Sequence, residues 1–149
     1  MNIHVQADLI PMLVSTLLGT LVGFERQMGR KAAGLRTHVL VCLGSTMFTL
    51  LTLHAAKEMA GATSLDPTRI IHGVITGVGF LGAGSILRQE GYVHGLTTAA
   101  SIWMVAAIGT TVGLHAYGLA VVGTILALVV LEGFRWVERF MSPGGDENA

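Results

Sequence analysis

Charge is what this sequence has least of. Asp, Glu, Lys and Arg make up 12% of its 149 residues, about half their share in an ordinary soluble domain. The apolar fraction is 52% and the mean hydropathy +0.66, so side chains that belong in lipid stand where charge is missing. The formal net charge is zero, which removes any global field that would draw nucleic acid or an acidic substrate. Cys42 is the one cysteine. It can form no intramolecular disulfide, no cysteine-based metal spacing exists, and within an apolar run it reads as a small buried hydrophobe. A secretory leader is not expected from the first apolar run: no basic stretch precedes it, and Asp8 stands where lysine or arginine is expected. That run is therefore read as a retained span. No lipidation box is present. No nucleophile–base pair, zinc spacing, phosphate loop or cofactor motif is legible, so neither an enzyme nor a cofactor is expected.

What is present is a succession of apolar segments: Leu9 to Phe24, His38 to Ala56, Arg69 to Leu87, Leu96 to Val112 and Tyr117 to Phe134. A helix of about 20 residues crosses the roughly 30 Å hydrocarbon core, with about 17 to 25 the common range. The expected fold is therefore all-α, a polytopic membrane bundle of about five transmembrane helices in contact with the lipid bilayer. Residues 1–140 form the membrane domain and residues 141–149 a disordered polar tail. Asp8 is a plausible N-cap for the first helix, with Pro11 in its first turn. GLHAY, Gly113 to Tyr117, is so short that the last two spans should form a tight antiparallel hairpin, the fifth being the one most suited to face lipid. Arg26, Arg30, Lys31, Arg36, Arg88, Arg135 and Arg139 fall on one side of this arrangement, Lys57 and Arg69 on the other. The positive-inside bias then puts the N-terminus outside and the C-terminus in the cytoplasm.

The third segment, RIIHGVITGVGFLGAGSIL, carries Gly73, Gly77, Gly79, Gly82 and Gly84. Two readings stand side by side. Glycine lets neighbouring helices approach closely, which would make this the central, tightly packed helix. Alternatively GVGFLGAG is a break whose backbone lines a site, as in transporters with discontinuous helices. The GxxxG spacing recurs at Gly19/Gly23, Gly73/Gly77 and Gly109/Gly113, which favours a compact bundle with one face used for self-association.

Polar residues cluster at both ends. On the expected cytoplasmic side Glu25 and Arg26 close the first span while Arg36, Thr37 and His38 open the second. Arg30 and Lys31 read as interfacial anchors, whereas Glu25 beside Arg26 suggests a paired, partly buried ion. On the outer side Asp66 precedes Pro67 as a helix start, Arg69 and His72 lie one turn apart, and His54 ends the second span; a proton- or cation-sensing group is one reading, simple capping the other. Trp103 sits mid-span, where its indole N–H needs a partner. With Thr97, Thr98 and Ser101 it suggests that the fourth helix faces protein or a polar cavity, not lipid, and packing against the glycine-rich helix would accommodate the ring.

Taken together, the blocks GFERQMGRKAAGLRTHVLVCLGS (Gly23 to Ser45), DPTRIIHGVITGVGFLGAG (Asp66 to Gly84) and GLTTAASIWMVAAIG (Gly95 to Gly109) resemble the MgtC/SapB family. The resemblance covers about Leu13 to Leu126. It implies a multi-pass protein of the bacterial inner membrane associated with magnesium homeostasis, some of whose relatives are linked to control of the ATP synthase. It marks Glu25, Arg26, Arg36, Thr37, His38, Asp66, Arg69, Gly79, Gly82, Gly84, Thr97, Thr98 and Trp103 as motif positions. Longer members carry a soluble C-terminal domain, whereas this chain stops soon after Phe140, so any role of that domain does not carry over.

Two functions follow as expectations. One is regulation of another membrane protein through glycine-rich helix faces, together with homo-oligomer formation. The other is passage of magnesium or another cation along a broken third helix. Magnesium wants near-octahedral oxygen ligands and usually a carboxylate or two. No acid lies at mid-depth in any expected span, and Glu25 and Asp66 are only weak metal candidates. That shortage favours regulation.

Overall fold

The structure is a computed structural model and describes residues 5–58, 68–89 and 92–141. Asp66 and the tail from residue 142 lie outside the described residues. Five helices appear: α1 Val5–Met28, α2 Leu35–Glu58, α3 Thr68–Gly84, α4 Leu96–Gly113 and α5 Tyr117–Met141. α1, α2, α4 and α5 are long and apolar enough to cross a membrane, while the apolar stretch of α3, Ile71–Gly84, is shorter. The protein is an all-α membrane helical bundle.

The helices start and stop for local reasons, and some differ from the sequence expectation. α1 begins at Val5, ahead of Asp8, and Pro11 lies inside it and is buried. Asp8 is therefore not an N-cap; its carboxylate meets His54 instead. α3 ends at Gly84, before Leu87, because Ser85 and Ile86 donate to the Gly82 and Ala83 carbonyls (3.0 and 3.1 Å) in a closing turn. The chain then forms a short antiparallel hairpin not foreseen from sequence, β1 Leu87–Gln89 with β2 Tyr92–His94 in register Leu87 to His94. Gly95 follows at φ 88°, a left-handed conformation in which a Cβ would also collide with the Ser85 carbonyl. That turn points the chain into α4. The α4–α5 connection is as tight as expected: Leu114, His115 and Ala116 donate to the Thr110, Val112 and Thr111 carbonyls, with His115 left-handed at φ 61°.

Centrality is where the expectation fails. α4 packs against all four other helices, whereas α3 rests on α4 and, more lightly, α2. Of the α4 span 56% is buried, against 11% for α5, which fits the lipid-facing part expected of α5. The core joins Leu18 and Val22 of α1, Cys42 of α2, Val105, Ile108 and Val112 of α4, and Ala120 of α5. The glycines that permit this are not those of α3. A Cβ on Gly19 would stand 2.9 Å from the Cys42 Cβ, one on Gly23 2.9 Å from the Leu35 Cα, and one on Gly113 2.6 Å from the Thr49 Cβ. One on Gly109 would strike the Cys42 carbonyl. Close approach also brings the Thr46 hydroxyl of α2 to 2.8 Å from the Gly109 carbonyl of α4, a direct interhelical bond in a medium with no water to compete.

α3 itself is continuous from Thr68 to Gly84, so the break within GVGFLGAG is not present. Val74, Val78 and Gly82 form its inner stripe, with Val78 in a cluster with Ala33, Ile102 and Ala106 and Gly82 against Ala99. Gly73, Gly77 and Gly84, spaced by whole turns with Phe80 between them, form an outer stripe. Among the described residues, a Cβ at any of these glycines, or at Gly79, would meet nothing within 4 Å.

Candidate functional site

Several of the candidate side chains gather at the end of the bundle that holds the α1–α2 loop. α1 and α2 run antiparallel, so the last turn of α1 lies beside the first turn of α2, and the first turn of α4 closes over both. Arg26 is 2% exposed. Its Nη2 donates to Thr98 Oγ1 on α4 at 3.2 Å, and its Nη1 lies 3.9 Å from Glu25 Oε2. On the other side, Glu25 Oε1 lies 3.7 Å from Arg135 Nη1 of α5, which also pairs with Glu132 at 3.0 Å. Among the described residues neither Glu25 oxygen nor Arg26 Nε has a hydrogen-bond partner. The carboxylate is thus held between two guanidiniums by charge alone. Neighbours of that sign oppose a bound cation, which weakens the case for Glu25 as a metal ligand. Among the described residues no three His, Cys, Asp or Glu side chains group as a metal site.

His38 is completely buried beside this ion pair. Its Nδ1 lies 2.8 Å from the Gly34 carbonyl and its Nε2 3.0 Å from Ser101 Oγ. Ser101 Oγ in turn lies 2.8 Å from the Thr98 carbonyl. Glu25, Arg26 and His38 are therefore brought together as the sequence suggested, Thr98 and Ser101 of α4 join them, which it did not foresee, and the network ties α1, α2, α4 and α5. The histidine–serine pairing resembles a nucleophile with its base, which sequence inspection did not find. Both side chains are buried, however, Ser101 at 3% exposure, and neither is presented to a substrate.

Other motif positions lie elsewhere. Arg36, Thr37 and Thr97 are exposed, on faces turned away from the cluster. Arg69 is exposed at the opposite end of the bundle. Trp103 is 51% exposed on α4 rather than enclosed by α3, which packs on α4 through Ala99 and Ile102 instead. Gly82 is buried, while Gly79 and Gly84 stand open.

Sequence reasoning missed a second polar pair at that opposite end. His54 Nε2 sits 3.0 and 2.9 Å from the two oxygens of Asp8. A signal was available: Asp8 and His54 are about equally far from the middle of the α1–α2 loop, as are Gly19 and Cys42, and antiparallel neighbours pair in that way. Arg135 was read only as one of the positive charges that set the orientation; nothing local in the sequence ties it to Glu25.

Comparison with known proteins places this arrangement in a family. The MgtC family pattern matches residues 12–140. The candidate magnesium transporter YhiD of Escherichia coli is 43% identical over 128 residues, covering 85% of this chain and 60% of the relative. SrpB of Synechococcus elongatus is 38% identical, covering 86% and 75%. MgtC of Salmonella typhimurium is 39% identical, covering 80% and 49%. The chain thus spans between half and three-quarters of these relatives. No solved structure matches it. On a match over nearly its whole length, the chain belongs to the MgtC family.

Proposed function

We propose that this is a multi-pass protein of the bacterial inner membrane that serves magnesium homeostasis by binding and regulating another membrane protein, such as the ATP synthase, through α3. It acts without catalysis, and its first-loop end, rich in arginine, faces the cytoplasm. The observation that carries this reading is the division among the glycines. Gly19, Gly23, Gly109 and Gly113 are consumed in packing within the chain, whereas Gly73 and Gly77 present the same spacing outward, with Gly84 on the same face and open space above all three among the described residues. Small-residue faces are where membrane helices bring their backbones together. A homo-oligomer built on the same face is part of this proposal.

Transport of magnesium is the second reading, and the name of YhiD favours it. Against it stand a continuous α3 and carboxylates (Asp8, Glu25) placed near helix ends and already engaged by His54, Arg26 and Arg135. In a strain whose growth at low magnesium depends on this protein, Gly73→Leu/Gly77→Leu is expected to insert and fold like the parent but to lose growth rescue. Rescue at the parental level would contradict the regulatory reading. Purified protein in proteoliposomes is expected to give no saturable magnesium flux; saturable flux lost in Glu25→Gln would establish transport instead.

A further inference from the structure

Counting protons in the buried network gives a result that goes beyond the proposed partner surface and does not depend on it. The Gly34 carbonyl can only accept, so His38 Nδ1, 2.8 Å away, carries a proton. The Thr98 carbonyl can also only accept. Ser101 has a single hydroxyl proton, yet its oxygen lies 2.8 Å from that carbonyl and 3.0 Å from His38 Nε2. It can serve one or the other. When His38 is neutral, Nε2 is bare and the Ser101 O–H donates to it, leaving the Thr98 carbonyl without this donor. When His38 gains a proton, Nε2–H donates to Ser101 Oγ, and the hydroxyl proton turns to the Thr98 carbonyl.

We propose that His38 is a buried proton-binding site and that the Ser101 hydroxyl switches between Nε2 and the Thr98 carbonyl as that site fills and empties. The switch lies where it can be felt. Thr98 is the residue whose hydroxyl accepts from Arg26, so the proton on α2 is linked through the first turn of α4 to the Glu25–Arg26–Arg135 cluster of α1 and α5. Arg26 is the charged member of that cluster that acts on His38 directly, and Glu25 and Arg135 stand behind Arg26. α4 contains no Asp, Glu, Lys, Arg or His, and the two such residues of α3, Arg69 and His72, are toward the other end of the bundle. The neutral and charged patterns each keep both ring nitrogens hydrogen-bonded, so the buried imidazole is satisfied in either state.

The test is a pH titration by NMR of the full-length, isotopically labelled protein in lipid nanodiscs, between pH 4.5 and 9. It follows the ring nitrogens of His38 and the carbonyl carbon of Thr98. The expected result is a neutral form protonated on Nδ1, a doubly protonated form at low pH, and a Thr98 carbonyl shift with the same midpoint. In Ser101→Ala the His38 nitrogens still titrate but the Thr98 shift is lost. A neutral form protonated on Nε2, no His38 titration in this range, a flat Thr98 carbonyl in the parent, or one that still follows His38 in Ser101→Ala would each overturn the proposal. The parent titration alone decides the matter if the alanine variant does not fold.

Discussion

Gly109→Ala is expected to destabilise the protein by about 2–3 kcal/mol, the upper part of the usual range for overfilling a packed core, while Gly77→Ala leaves stability unchanged or slightly raised. Both glycines are helical and both belong to GxxxG pairs, so their sequence contexts predict the same outcome. The structure separates them. A methyl group on Gly109 meets the backbone carbonyl of Cys42, which cannot swing aside as a flexible side chain would. The same approach positions Thr46 to bond the Gly109 carbonyl at 2.8 Å, so wedging α4 away from α2 also stretches that bond. A methyl group on Gly77 meets nothing within 4 Å among the described residues, and alanine is the better helix former by about 1 kcal/mol. Equilibrium unfolding of the purified variants in mixed detergent measures the difference. Equal stability of the two variants would mean that α4 does not pack on α2 as described.

Arg26→Met is expected to cost about 3 kcal/mol, and Glu25→Gln to recover part of that loss when the two changes are combined. Removing one member of a buried ion pair leaves the other without compensation, a loss of roughly 3–5 kcal/mol in typical cases. Here the lower figure applies because Arg135 still faces Glu25 at 3.7 Å. Arg26→Met also leaves Thr98 Oγ1 without its donor across the α1–α4 contact. The same unfolding assay, run as a double-mutant cycle, gives the coupling between residues 25 and 26. Additive losses would show that Glu25 is stabilised by solvent and not by Arg26.

Much of this architecture was legible in the sequence. Apolar length located the spans, and the short stretch GLHAY, Gly113 to Tyr117, forced the α4–α5 hairpin. The positions of Glu25 and Arg26 at the end of one span and His38 at the start of the next placed them together, since a short loop returns the chain beside itself. What failed was the identity of the central helix. GxxxG spacing states that a backbone can be approached; it does not state which neighbour approaches. Gly73/Gly77 and Gly109/Gly113 look alike in sequence, and only the tertiary arrangement decides that α4 is enclosed and α3 peripheral. Trp103 misled for a related reason. Its depth in a span implied enclosure, but α4 is central on its other faces and half exposes this one. The Glu25–Arg135 pair could not be assigned from local pattern because its members lie on α1 and α5, and the Asp8–His54 pair shows only when α1 and α2 are folded back on each other about their loop.

The most direct test of a regulatory role for α3 is photo-crosslinking in living cells grown at low magnesium. A photoreactive amino acid replaces Phe80, which is 80% exposed on the stripe of Gly73 and Gly77, or Ile125, 55% exposed on α5. Phe80 is already bulky, so the exchange leaves the glycines free. The account predicts a discrete adduct with another membrane protein from position 80 and none from position 125. Lipid adducts alone at both positions would contradict it.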